Sequence, residues 1–334
     1  MNAVNPPPTA TRGTRHLIAP ELLAALEKLP SFDISLEAIA ALRSGGFRGS
    51  GLVPPPLTPA QQAVRCEERF VAGPTGAPDV RILVYHPSAP AAGLRPAYLH
   101  MHGGGFVLGS ADLNDGSNRQ LASELGCVVV SVDYRLAPET PYPGAVEDCY
   151  AALGWLHREA QRLGIDAARV AVGGESAGGG HAAALAQLAR RRGELPICLQ
   201  LLDAPMLDDR TGSSSDPHPY CGEFVWTPAK NRFGWRALLG REPGGADVPA
   251  EAVPARAADL TGLPPAFIAV GAIDLFLEES LEYARRLIRA GVPTELHVIP
   301  GAFHGFGVGG DDAPQVRLHM RLRRDALERA FSVN

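Results

Sequence analysis

Two short segments of this chain carry the residue types that chemistry on an acyl group requires. Breaking such a bond takes a nucleophile and, beside it, backbone N–H donors for the oxyanion that forms. Gly174-Glu175-Ser176-Ala177-Gly178 has the G-x-S-x-G spacing of a nucleophile elbow, where small residues permit a tight strand-to-helix turn that lifts the serine hydroxyl clear. His102-Gly103-Gly104-Gly105-Phe106 is a glycine loop whose missing Cβ atoms let amides approach an anion. Either pattern alone arises by chance in a glycine-rich chain. Together, each just after an expected strand, they point to a hydrolase with Ser176 as nucleophile. The plainer reading is a serine that merely starts a helix. Gly173 and Gly174 before it, and Ala177, Gly178, Gly179 and Gly180 after it, argue against that.

A serine hydroxyl is a weak nucleophile and needs a base that an acid holds in place. On a scaffold of alternating strands and helices, the acid and then the histidine follow the serine, at the C-terminal ends of later strands. Three histidines follow residue 274. His297 falls inside an expected strand and His319 on the last helix, whereas His304 sits in the loop Pro300-Gly301-Ala302-Phe303-His304-Gly305. His304 is therefore the expected base. Two aspartates directly follow strands, Asp203 and Asp274, and both are plausible orienters of the imidazole. Asp274 is preferred because its strand is the last before the His304 strand, which makes their loops neighbours. Asp203 opens a long insertion and reads as a capping or turn residue. Glu278 and Glu279 read as solvated charges near a helix N-terminus. His102 reads as a prop for the glycine loop. The loop narrowly misses G-x-G-x-x-G, since Leu108 stands where the last glycine belongs, so a dinucleotide site is not expected.

Strand-like runs that would position these residues lie at 68–71, 80–86, 97–101, 127–134, 169–173, 197–202, 266–270 and 295–299. Helical stretches fall at 116–125, 145–163, 177–191, 275–290 and 315–331. Early strands without helices, then alternating units, imply a mostly parallel eight-stranded α/β sheet with helices on both faces. Two further helical stretches, 20–29 and 35–43, precede the stiff segment Val53-Pro54-Pro55-Pro56-Leu57-Thr58-Pro59. The stretch from 203 to 260, with one helix at 228–239, is too long for an ordinary loop and reads as an insertion. The expected division is N-terminal cap helices and linker at 1–55, then a catalytic domain at 56–334 carrying a cap insertion at about 203–260. Phe106, Phe224 and Trp226 are expected in the substrate pocket.

Composition narrows the function. A hydrophobic content of 46% is that of a folded chain, and a net charge of −5 gives no pull toward nucleic acid or an anionic membrane. Five cysteines without a C-x-x-C pair suggest neither a metal nor a redox site, and no cofactor is expected. No apolar run reaches membrane-spanning length, and residues 1–16, read as unstructured, lack the apolar core of a secretion signal. A cytoplasmic protein with a small-molecule ester as its partner is the expectation; a homo-oligomer stays open.

The glycine loop, Tyr134-Arg135-Leu136-Ala137-Pro138-Glu139, the serine elbow, Asp274 and His304-Gly305-Phe306 together resemble the hormone-sensitive-lipase-like family of α/β-hydrolases, its bacterial carboxylesterases above all. The similarity runs from about residue 80 to the C-terminus and includes Met206-Leu207-Asp208-Asp209-Arg210-Thr211. The resemblance implies the α/β-hydrolase fold with a helical cap. It also implies oxyanion donors at Gly104, Gly105 and Ala177, with Gly103 as a neighbour. The activity it implies is that of a serine carboxylesterase on short- to medium-chain acyl esters, working through an acyl-enzyme. One departure is Glu175, where members commonly carry Asp or Thr; a longer acid is expected to alter hydrogen bonding around the Asp274 loop. Two other functions compete: a non-catalytic small-molecule receptor on the same scaffold, and hydrolysis of amides, lactones or thioesters.

Overall fold

The computed structural model describes residues 13–29, 34–45, 55–90, 92–213, 217–308 and 312–332. Most of the stretch expected to be unstructured, and the first two residues of the proline segment, lie outside the described residues. Strands β1 (Arg65–Val71), β2 (Val80–His86), β3 (Arg95–Met101), β4 (Val128–Asp133), β5 (Ile165–Glu175), β6 (Leu199–Asp203), β7 (Ala266–Gly271) and β8 (Thr294–Ile299) form one sheet in the order β1-β2-β4-β3-β5-β6-β7-β8. β2 pairs antiparallel with β1 and with β4, and all the other pairs are parallel.

Among the described residues the α-helices are α1 (Leu23–Lys28), α2 (Leu36–Gly45), α3 (Pro59–Ala63), α4 (Asp115–Leu125), α5 (Gly144–Arg158), α6 (Ala160–Leu163), α7 (Ala177–Arg192), α8 (Pro228–Leu239), α9 (Leu277–Arg289) and α10 (Pro314–Ser332). The central strands are apolar on both faces because both are covered. Leu121 of α4 and Leu327 of α10 pack with Tyr98, Leu201 and Phe267 on one face. Leu153 of α5, Leu185 of α7 and Leu287 of α9 pack with Leu99, Val172 and Ile268 on the other.

Three local features differ from expectation. The single helix expected at 145–163 is two, because Glu159 (φ −89°, ψ 0°) ends α5 before α6 begins. The first turn of the 20–29 stretch is a 3-10 helix, Pro20–Leu22, and only then does α1 follow. The short α3 is a helix that the sequence analysis did not place: Thr58 accepts from the Gln61 amide while the Gln61 side chain accepts from Thr58 N–H, a reciprocal cap.

Both segments outside the α/β alternation lie on the loops that follow strands. Ile18 and Leu22 pack with Ile273, Phe303 and Phe306, and Ala19 N–H donates to the Gly301 carbonyl beyond β8. Ile39 of α2 packs on Val107 and Ala137, and Trp235 of α8 lies edge-on to Phe106 at 5.0 Å.

Glu279 corrects a reading. It is 7% exposed, not solvated, and its Oε1 accepts the Leu207 N–H at 2.6 Å. Burial pushes its carboxyl well above the usual carboxylate range, against the pull of that amide. The folded state thus holds a proton that the unfolded chain releases, so Glu279 lowers stability as pH rises above the ordinary carboxylate value. Glu279→Gln, which keeps the acceptor and carries no ionisable group, is expected to flatten the decline of the melting temperature between pH 5 and 8. A wild-type slope unchanged in the variant, read by circular dichroism melts, would show that Glu279 is ionised in the fold.

Candidate active site

Ser176 stands where β5 ends and α7 begins. Its backbone takes φ 56°, ψ −120°, a region that costs an L-residue about 1–3 kcal/mol and survives only where the surroundings over-determine it. They do so here. Ser176 N–H donates to the Asp203 carbonyl at 2.8 Å, and the Ser176 carbonyl accepts from Gly180 and from Met206, each at 3.0 Å. Gly178 cannot carry a side chain, which would run into the Met101 and His102 carbonyls at the end of β3. The start of α7 is therefore pressed against the glycine loop.

β7 and β8 are adjacent and parallel, so the loops leaving their C-terminal ends lie side by side. Asp274 Oδ2 is 2.9 Å from His304 Nδ1, and His304 Nε2 is 3.0 Å from Ser176 Oγ. A carboxylate only accepts, so Nδ1 carries the proton and Nε2 presents its lone pair to the serine hydroxyl. Asp274 Oδ1 accepts the Phe276 N–H at 2.9 Å, and the Phe276 ring stands edge-on to the imidazole at 5.0 Å. Asp274 is 1% exposed and His304 8%, so this relay runs out of contact with bulk water until it reaches Ser176.

The glycine loop faces the same point. A side chain on Gly103 would come within 3.6 Å of Ser176 Cβ, which measures how close loop and elbow lie. Gly105 has φ 60°, and a Cβ there would enter the Trp226 ring, so only glycine fits. Ala177 is the first residue of α7, and amides of a helix's first turn have no partner inside the helix. His102 is fully buried, stacked on Tyr134 at 4.2 Å, and its Nδ1–H donates to the Gly103 carbonyl at 2.8 Å. Burial brings its pKa down to about 4, so the ring is neutral at ordinary pH.

The structure brings Ser176, Asp274, His304 and the glycine loop together and sorts the other residues differently. Asp203 is no turn residue: its Oδ1 pairs with His319 Nε2 at 2.8 Å, away from Ser176 Oγ. Of the three expected pocket residues, Trp226 lies between Gly105 and His304, its Nε1–H held by Asn231 Oδ1 at 3.1 Å. Phe106 turns toward His181 and Trp235, where it lines a small, mostly apolar pocket of about 10 Å³. Phe224 packs on Phe303 within the N-terminal contact cluster, where it joins segments together. Glu175 does not approach the Asp274 loop; it accepts from His100 Nε2–H at 2.9 Å and Arg323 Nη2–H at 2.7 Å.

Sequence reasoning overlooked Arg43. From α2 it donates to the Val107 carbonyl at 2.9 Å and the Ala137 carbonyl at 2.7 Å, and it pairs with Glu139 at 2.9 Å. It thereby fastens the far end of the glycine loop. An arginine on an amphipathic helix carries no local sign of such a reach.

Comparison with known proteins gives consistent results. Residues 98–308 match a family described by its alpha/beta hydrolase fold. The esterase LipI of Mycobacterium tuberculosis is 38% identical over 301 residues, which span 89% of this chain and 90% of that protein. The carboxylesterase NlhH of the same species is 40% identical over 259 residues, 76% of this chain and 78% of that one. The solved structure of a bacterial heroin esterase superposes with a TM-score of 0.87 at 38% identity, covering 96% of this chain and all (100%) of that one.

Proposed function

This chain belongs to the alpha/beta hydrolase family, in its hormone-sensitive-lipase-like branch, and is a carboxylic ester hydrolase; from that premise we propose that it cleaves short- to medium-chain acyl esters through an acyl-enzyme on Ser176. The observation that carries this reading is the unbroken relay from Asp274 through His304 to Ser176 Oγ, with steps of 2.9 and 3.0 Å. His304 Nε2 takes the hydroxyl proton as Ser176 Oγ attacks the ester carbonyl. The oxyanion is held by amides of Gly104, Gly105 and Ala177, with Gly103 beside them, in a site where water is scarce. His304 then returns the proton to the departing alcohol. Water, deprotonated by the same imidazole, adds to the acyl-enzyme; as that adduct collapses the imidazole returns the proton to Ser176 Oγ, which frees the acid and restores the serine. His102, neutral and stacked on Tyr134, supports the glycine loop without exchanging protons. The intact relay also speaks against a receptor that only binds, because such a role needs no base beside the serine.

Residues 1–55 and the insertion at about 203–260 act, in this reading, as a cap over the serine. Trp226 against Gly105 and His304 supports it, as does the clustering of Ile18 and Leu22 on the His304 loop. The test is hydrolysis of p-nitrophenyl esters of graded acyl length by the full chain and by a form lacking residues 1–45. The full chain should work best on short to medium acyl groups. The shortened form should shift toward longer ones, melt at lower temperature and bind an apolar dye. Inactivity of the full chain on every ester would overturn the proposed activity, and an unchanged preference in the shortened form would overturn the cap.

A further inference from the structure

Beneath the serine elbow lies a second set of ionic side chains that takes no part in the proposed chemistry. Glu175 ends β5, immediately before Ser176, and Asp203 ends β6, where its carbonyl receives the Ser176 N–H. Two acids thus flank the strained residue, one by sequence and one by hydrogen bond. Opposite them α10 presents His319 and Arg323, four residues apart and so on one helix face. Arg323 bridges the acids, with Nη2 at 2.7 Å from Glu175 and Nη1 at 3.5 Å from Asp203. His319 closes on Asp203 at 2.8 Å and His100, at the end of β3, on Glu175 at 2.9 Å. His100, Asp203, His319 and Arg323 are all buried.

We infer that this buried lock, with Arg323 at its centre, holds the Ser176 turn in its strained conformation, so that Arg323 is a positioning residue for ester cleavage although it lies outside the relay. The inference rests on the reading of Ser176 as nucleophile. A planar guanidinium can span two carboxylates on different strands, which fixes the end of β5 relative to the end of β6. That spacing is what the Ser176 N–H to Asp203 carbonyl bond requires. Without the cation, the buried Asp203 and the half-buried Glu175 face each other across the elbow, and their repulsion is relieved by moving one strand end or taking up a proton. Either response lets Ser176 relax from its strained turn and draws Oγ from His304. Burial pushes the Glu175 carboxyl up, yet its contacts with His100 and Arg323 bring it down to about 2.

The test uses the full chain and a fluorophosphonate probe, which reports attack by the serine before any hydrolysis step, with kcat and KM measured on a short aryl ester. Wild type should be labelled on the peptide carrying Ser176; labelling elsewhere would overturn both the nucleophile reading and the lock. Arg323→Met should be labelled about tenfold more slowly per folded molecule, with kcat lowered and KM nearly unchanged, the loss being that of a coupled neighbour rather than of a reacting group. Glu175→Gln/Arg323→Met, which removes both charges, should be faster than Arg323→Met alone. An arginine that only fills space would lower the melting temperature of both variants additively and leave the labelling rate of folded protein unchanged, and that result would overturn the lock. If Arg323→Met does not fold, Arg323→Lys carries the test. It keeps the charge without the fork and should label several-fold more slowly; a wild-type rate there would equally overturn the inference.

Discussion

Ser176→Ala is expected to lower ester hydrolysis by about five to six orders of magnitude, the scale on which removing the nucleophile of a serine hydrolase acts. The substitution deletes one oxygen at a position whose backbone is fixed by bonds from Asp203, Gly180 and Met206, none of which involves the side chain. The fold should therefore persist, with a melting temperature close to that of wild type. Residual activity should remain above the uncatalysed rate, because the glycine loop and the α7 N-terminus still favour a developing oxyanion. In intact protein, mass spectrometry after organophosphate treatment should find one adduct, on the peptide carrying Ser176. An Ala variant that retains near-normal turnover would remove Ser176 from the reaction altogether.

The fold and the proximity of the candidate reacting residues were legible because each rests on a local signal. Apolar runs of four to eight residues mark strands buried on both faces, and small residues around Ser176 mark a turn in which side chains cannot fit. The choice of Asp274 over Asp203 needed one step more, the order of strands. It follows from parallel neighbours sending their loops to the same edge, as β7 and β8 do. What escaped the sequence is the reach of long side chains across the fold. Arg323 meets Glu175 from 148 residues away, and Arg43 meets Val107 from 64. Neither distance leaves a periodicity. Glu279 escaped for a related reason: helix position suggests a solvated charge, and only the packing of the Leu207 segment against α9 buries it. The break in α5 at Glu159 is a matter of one residue's ψ, which no helix-forming composition reveals.

Two aspartate–histidine pairs sit at the C-terminal edge of the sheet, and a pair of substitutions separates them. Asp274 pairs with His304 and Asp203 with His319, at nearly the same spacing, 2.9 and 2.8 Å. Only His304 reaches Ser176 Oγ. In Asp274→Asn the amide can offer an N–H to Nδ1, which favours the tautomer protonated on Nε2; that ring cannot take the serine proton. Turnover should fall by about 10⁴-fold with the architecture intact, as when the orienting acid of a serine triad is replaced by its amide. Asp203→Asn leaves the carbonyl that receives the Ser176 N–H in place but weakens the pairing with His319 and Arg323. Its main cost should be stability, of about 1–3 kcal/mol for the weakened buried pairing, since Arg323 keeps its contact with Glu175, while kcat falls far less. Measuring kcat and chemical denaturation on both variants decides the matter. An inactive Asp203→Asn beside an active Asp274→Asn would move the orienting acid to β6. The histidine on α10 would then have to be reconsidered as the base, even though its Nε2 is already turned toward Asp203.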